Sequence, residues 1–300
     1  MATVAALLEA ATRDLTDMGA ASPRLDAELL LGHVLGVERT GVLAHPDAPV
    51  STGQEATFRE LLGRRLDGTP VAYIRGFREF HGLAFAIDER VLIPRPETEL
   101  LVDLAVQRVR AILTGSPRPP GTPPVRVWDV GTGSGAIAVA IAVELRRGRY
   151  LDDVRLTASD ISPESLAVAV ENAVAHGVAD LIELVLADVV DASPMLPADV
   201  LVANLPYIPS DVIPSLPADV RAEPILALDG GLDGLDLVRR LLAGLPRATV
   251  PGGLALLELG IDQAGAISAL ARDVLPGWRL TWHEDLAGIQ RVAALEGPPR

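Results

Sequence analysis

A chain of 300 residues with 49% apolar side chains can bury a large core, with room for one catalytic-size domain and a small accessory one. Its 26 Lys and Arg against 40 Asp and Glu leave a formal net charge of -14, which repels polyanions and argues against direct nucleic-acid binding. The lack of cysteine excludes disulfides, thiolate-ligated zinc and thiol nucleophiles.

Met1-Ala2-Thr3-Val4 has no cationic lead, and Glu9 interrupts the only apolar stretch that could serve as a signal core. The longest apolar run, Ala136 to Val143, is far short of the ~20 residues that span a bilayer. A cytoplasmic protein with no membrane partner is expected.

Residues 1–72 read as a bundle of short amphipathic helices. Leu7, Leu8, Ala11 and Leu15 recur at helical spacing, and so do Leu25, Leu29, Leu30 and His33-Val34 after Ser22-Pro23. A third helix is expected from Gly53 to Leu66, with Gly19, Gly32, Gly36, Gly41 and Pro46 as punctuation. Residues 73–95 form a linker in which Phe80 to Asp88 alternates like a β-hairpin. Pro96-Glu97-Thr98-Glu99 then suits the first turn of a helix, Leu100 to Leu113, with its acids at the positive end of the dipole. Ser116 to Pro124 is a Pro-rich extended connector within a catalytic domain spanning 96–300.

Strand and helix then alternate. Strands are expected at Val125–Val130, Val154–Ser159, Ile182–Leu186, Val200–Ala203 and Leu254–Leu259, with two more near Arg279–His283 and Arg291–Ala294. Helices are expected from Ala136, over Pro163–His176, near Gly234–Leu242 and over Gln263–Val274. Alternation of this kind makes an α/β fold with a mostly parallel sheet covered on both faces.

Gly131-Thr132-Gly133-Ser134-Gly135 lies between the first of these strands and its helix. Glycines there let the backbone turn sharply beside a ligand, and free amides face its polar groups. The string also satisfies G-x-G-x-x-A, so a nicotinamide dinucleotide competes at this point. Asp160 ends the next strand, where a carboxylate can accept ribose hydroxyls, and Asp188 with Val189 follows the third, beside an adenine.

Asn204-Leu205-Pro206-Tyr207 follows the fourth strand. An amide or aromatic amino nitrogen is a poor nucleophile because its lone pair is delocalised. The Asn204 side-chain oxygen and the Leu205 carbonyl would orient such a group and stabilise positive charge during in-line displacement. Pro206 stiffens the loop, and Tyr207 offers a flat face. The five histidines are scattered and no metal site is expected.

With these motifs the chain resembles the glutamine methyltransferases that act on class I peptide-chain release factors. Further strings carry the likeness: Pro70-Val71-Ala72-Tyr73-Ile74-Arg75-Gly76, Ile93-Pro94-Arg95-Pro96-Glu97-Thr98-Glu99, Glu223-Pro224, Gly230-Gly231-Leu232-Asp233-Gly234-Leu235-Asp236 and Glu258-Leu259-Gly260. The resemblance implies a Rossmann-like class I methyltransferase of seven mostly parallel strands with a small N-terminal helical domain. It implies S-adenosyl-L-methionine held by Gly131 to Gly135, Asp160, Asp188, Val189 and Asn204. It further implies a release-factor glutamine held by Asn204 to Tyr207, with Arg95 and Glu97 as substrate-side residues and the helical module docking another part of that partner. Asn204, Pro206 and Tyr207 are the catalytic candidates. Leu205 stands where the family carries Pro, a change expected to loosen the loop and found in adenine methyltransferases acting on ribosomal RNA. An N6-adenine methyltransferase of RNA or DNA, and a noncatalytic release-factor or ribosome binder, are the alternatives.

Overall fold

The computed structural model describes residues 2–115, 119, 121–191 and 196–299. Residues 116–118 and 120 of the Pro-rich connector expected over 116–124 therefore lie outside the described residues. Two compact units emerge: residues up to Phe77 together with Leu216–Ala222, and Arg78–Ser215 together with Glu223–Arg300.

The first unit holds α1 (Val4–Met18), α2 (Pro23–Leu35), α3 (Arg39–Ala44), α4 (Thr52–Leu66) and α5 (Val71–Arg75). Thr3 caps α1 through its side chain, Ser51 and Gln54 form a reciprocal capping box on α4, and glycines in left-handed conformation end α1, α2 and α5. The core joins Leu7, Leu8 and Leu15 to Leu30, Leu31, Phe58 and Leu62. The expected stripe on α2 is corrected: Leu25 is exposed and Leu29 only half-buried, while Ala27, Leu30 and Leu31 face inward. Glu28 is buried between them and paired with Arg24 and Arg39, each at 2.6 Å, which selects that face. Arg65, 3% exposed, donates to Asp26 at 2.8 Å and to Asp219 at 2.9 Å, so it holds the returning segment Leu216–Ala222.

The second unit opens with a hairpin, β1 (Phe77–Phe80) and β2 (Leu83–Ala86). His81 and Gly82 both have positive φ, the signature of a tight type I′ turn. Pro96–Thr98 forms a 3-10 turn that leads into α6 (Glu99–Thr114). The Rossmann-like core follows: β3 (Val125–Val130), α7 (Ala136–Arg147), β4 (Val154–Asp160), α8 (Pro163–Ala175), β5 (Ile182–Leu186) and β6 (Ala198–Ala203). A short helix, α9 (Ala218–Arg221), belongs to the returning segment of the first unit. The chain then completes the second unit with α10 (Asp236–Ala248), β7 (Thr249–Glu258), α11 (Ala264–Val274), β8 (Arg279–Glu284) and β9 (Gln290–Glu296).

The sheet order is β5-β4-β3-β6-β7-β9-β8, parallel except for β9, which runs antiparallel to both neighbours. Buried on both faces, β3 and β6 read as near-continuous apolar runs. One face packs Leu201, Ala203, Ala255 and Leu257 against α10 and α11. The layer of α6, α7 and α8, with α7 in contact with the other two, covers the other. Strand order reverses between β3 and β6, and in an open α/β sheet that is where a crevice forms at the carboxyl ends. No described helix is long and apolar enough to cross a membrane.

Candidate active site

Three turns at the carboxyl edge of the sheet build the site. After β3 the chain passes Gly131, Gly133 and Gly135, all at positive φ, where a side chain would be strained. A Cβ on Gly135 would press on Ala169 of α8 at 3.1 Å, and one on Gly131 would meet Leu205 Cδ2 at 3.0 Å. Gly133 has open space instead, so its bare backbone faces the crevice. Thr132 and Ser134 are buried; the Thr132 hydroxyl donates to Asp129 at 2.6 Å, and the Ser134 carbonyl accepts from Asn172 at 2.9 Å. The Thr132 hydroxyl and the Ser134 carbonyl are therefore committed to the frame of the turn.

Asp160, last in β4, fixes the glycine turn. Its Oδ2 accepts from Gly133 N at 2.8 Å and its Oδ1 from Ser162 N at 2.9 Å. Burial raises its carboxyl from the usual aspartate value, against the pull of those backbone donors. Each oxygen keeps a lone pair for a further partner. Asp188 is half-exposed and pairs with Arg240 of α10 at 2.9 Å. Val189 next to it has φ +53°, an unusual state for a β-branched residue.

Asn204 follows β6, and its Nδ2 donates to Thr98 Oγ1 at 3.1 Å. The expected loosening of the loop by Leu205 is not what the structure has: Leu205 is 5% exposed and packs into the core shared by β3, β6 and α10. Leu205 thus supplies packing that holds the loop. Tyr207 is cradled from below. Gln263 Nε2 donates to its carbonyl at 3.0 Å, Gly260 N donates to Gln263 Oε1 at 2.9 Å, and a Cβ on Gly260 would meet the Tyr207 ring at 3.0 Å. Beyond it, Ile208 N bonds to Leu228 O and Gly230 N to Ile208 O, which pins the loop to the Asp229–Asp236 turn.

One cleft of about 280 Å³ is lined by Gly131, Gly133, Asp160, Asp188, Val189, Asn204, Leu205 and Pro206 together. Leu92, Ile161, Leu226 and Ala227 give it apolar walls. Tyr207, Arg95 and Glu97 do not line it; they form a polar cluster with Glu258 and Arg291. Burial, with the Glu258 charge beside it, pushes the Tyr207 hydroxyl up to about 12. Arg95 forms an ion pair with Glu223, whose other carboxylate oxygen accepts from Ile93 N at 3.0 Å. Glu223 therefore holds the Ile93-Pro94-Arg95 turn. Glu223, Thr98, Glu258 and Gln263 have roles that spacing alone does not reveal, although Glu223-Pro224 and Glu258-Leu259-Gly260 stand out as strings.

A family model described as PrmC N-terminal domain matches residues 6–76, and one for ribosomal protein L11 methyltransferase (PrmA) matches residues 120–231. A release factor glutamine methyltransferase of Moorella thermoacetica is 42% identical over 264 residues, 88% of this chain and 88% of its own. One of Rhodopirellula baltica is 38% identical over 296 residues, 98% of this chain and 96% of its own. Among solved structures, the hMettl16 catalytic domain in complex with MAT2A 3'UTR hairpin 1 superposes with a TM-score of 0.54 at 14% identity, covering 85% of this chain and 87% of that one, a likeness of fold. Near-complete coverage at this identity, on a methyltransferase sheet with its glycine turn and Asn204 loop at one cleft, means that the chain belongs to the release factor glutamine methyltransferase family.

Proposed function

We propose that the chain transfers a methyl group from S-adenosyl-L-methionine to the side-chain amide nitrogen of the glutamine in the Gly-Gly-Gln motif of class I peptide chain release factors. The observation that carries this reading is the joint lining of one cleft by the glycine turn, Asp160 and Asn204. The residues fit the cofactor. Gly133 leaves open space where a side chain would stand, Asp160 keeps lone pairs for ribose hydroxyls, and the apolar walls suit a flat base. Gly131 to Gly135, Asp160, Asp188 and Val189 would hold it, and when bound it supplies an electrophilic methyl carried on a sulfonium.

The protein's own part is orientation. Asn204 Oδ1 and the Leu205 carbonyl accept the two hydrogens of the glutamine NH2, turn its lone pair toward the methyl, and stabilise positive charge on the nitrogen as the new N–C bond forms. The nitrogen then becomes strongly acidic and releases one proton to water, so no dedicated base is needed. Pro206 limits the loop's freedom and Tyr207 anchors it through Gln263. Arg95 and Glu97 lie on the substrate side, the helical unit docks a second part of the release factor, and the cytoplasm is the site of action.

Asn204→Ala tests the assignment. Mass spectrometry of a release factor incubated with the variant and cofactor should find no methyl on the Gly-Gly-Gln peptide, while calorimetry finds cofactor binding intact. Retained turnover in the variant, or transfer by the wild type to ribosomal RNA alone, would refute it.

A further inference from the structure

An asparagine side chain can be turned over with little change of shape, exchanging its acceptor for its donor, so something must decide which atom faces the cleft. The structure contains such a device. Ala203 of β6 pairs with Leu257 of β7, which puts Asn204 and Glu258 next to each other as the following residues of parallel strands. Glu258 is 3% exposed and Thr98 4%. The Asn204 Nδ2 donates to the Thr98 hydroxyl at 3.1 Å. Glu258 Oε2 is buried with no partner, and the Thr98 hydroxyl and the Asn204 amide both favour the ionised Glu258 carboxylate, as donor groups beside it do.

Burying a carboxylate without full hydrogen bonding is costly, and apolar packing gives no reason for it here. An ionised carboxylate can only accept. Turning the Asn204 amide over would set its oxygen against that acceptor and leave two buried oxygens in repulsion. With its NH2 group committed to Thr98 on the side of the Glu258 carboxylate, the atom of Asn204 left for the cleft is Oδ1.

On the methyl-transfer function proposed above, we propose that Glu258, acting through Thr98 and Asn204, is a positioning residue that fixes the Asn204 oxygen toward the substrate amide. The charged and titratable groups around it are Glu97 before α6, Arg291 on β9, and Tyr207 after β6, with Arg95 acting on Tyr207. Burial, with Glu97 adding to it, pushes the Glu258 carboxyl up to about 7, against Thr98, Arg291 and Asn204. Its ionised form grips the two donors as a charge-assisted acceptor, and its protonated form grips them more weakly.

The test compares wild type, Glu258→Gln and Thr98→Val in release-factor methylation from about pH 6 to pH 9, with cofactor affinity by calorimetry. Wild-type kcat should rise with pH through about 7. Glu258→Gln should lower kcat about tenfold at high pH, keep KM for the release factor and cofactor affinity, and flatten that rise. Thr98→Val, nearly equal in shape, should lower kcat in the same sense and carries the test if Glu258→Gln fails to fold. Wild-type kcat and an unchanged pH profile in Glu258→Gln would overturn the role, as would cofactor affinity falling in step with kcat. A wild type that leaves the release factor unmethylated overturns the functional reading and this role together, whereas the other outcomes bear on Glu258 alone.

Discussion

Gly234→Ala probes the cradle that fixes the substrate loop. Gly234 has φ +73°, and a Cβ there would overlap the Tyr207 carbonyl oxygen and lie 3.0 Å from both its carbonyl carbon and Gln263 Nε2. Carbon contacts are comfortable at ~3.5–4.0 Å, so the Tyr207 backbone or the turn must give by about 0.5–1 Å. That carbonyl is the one Gln263 holds at 3.0 Å, so the shift passes to Leu205 and Asn204, two and three residues back. A displacement near 1 Å at a positioning group costs about 100-fold in rate. The left-handed backbone adds ~1–2 kcal/mol for any non-glycine residue. Gly19, at φ +86° with nothing within 4 Å of a Cβ, isolates that backbone cost in the helical unit. Gly19→Ala and Gly234→Ala should therefore both lower the melting temperature, by about 2–4 °C per kcal/mol. Only Gly234→Ala should lose kcat, measured as methyl incorporated into a release factor under saturating cofactor. Wild-type kcat in Gly234→Ala would show that the Tyr207 cradle does not set the position of the loop.

The buried Asp129 gives a pH-dependent prediction. Burial raises its carboxyl to about 7 from 3.8, so the stability it contributes is full below about pH 4 and is lost as pH rises through about 7. Asp129→Asn, which keeps an oxygen for Thr132 and the Ala138 amide, should gain on the wild type between pH 5 and pH 8 by on the order of a few kcal/mol. A urea-unfolding difference that does not change with pH would contradict this. Leu205→Ala should cost about 2–5 kcal/mol in the same assay, because it removes a 5% exposed side chain from the core. A loss below about 1 kcal/mol would return Leu205 to the status of a loose loop residue.

Much of the sheet was legible because its signals are local. Val125–Val130 and Ile182–Leu186 are mostly apolar runs that end at or just before Gly131 and Asp188, and the strands have those limits. The start of β7 was not legible: Pro251-Gly252-Gly253 reads as a turn, yet the strand begins at Thr249, with its pairing shifted between Ala198 and Val200. Leu29-Leu30-Leu31 left the buried face of α2 ambiguous, and ion pairs to Glu28 settle it. The short helices α3 and α5 follow glycine and proline signals that mask them. At the site, the glycine turn, Asp160 and Asn204 stood out because each sits at the carboxyl end of a strand. Thr98 and Glu258 sat within recognisable strings, but their roles, like that of Gln263, were not legible, since their partners lie across strand register or far along the chain. Leu257 opposite Ala203 is a fact of pairing that no spacing contains.

The return of Leu216–Ala222 to the helical unit governs how the polypeptide can be cut. A chain beginning at Arg78 would retain Asp219 but lose Arg65, the cation that neutralises it, and would leave seven residues folded against nothing. Shuffling of N-terminal segments among relatives must therefore carry two pieces of sequence, the first 77 residues and this later heptapeptide, or accept an unanchored flap between Ser215 and Glu223.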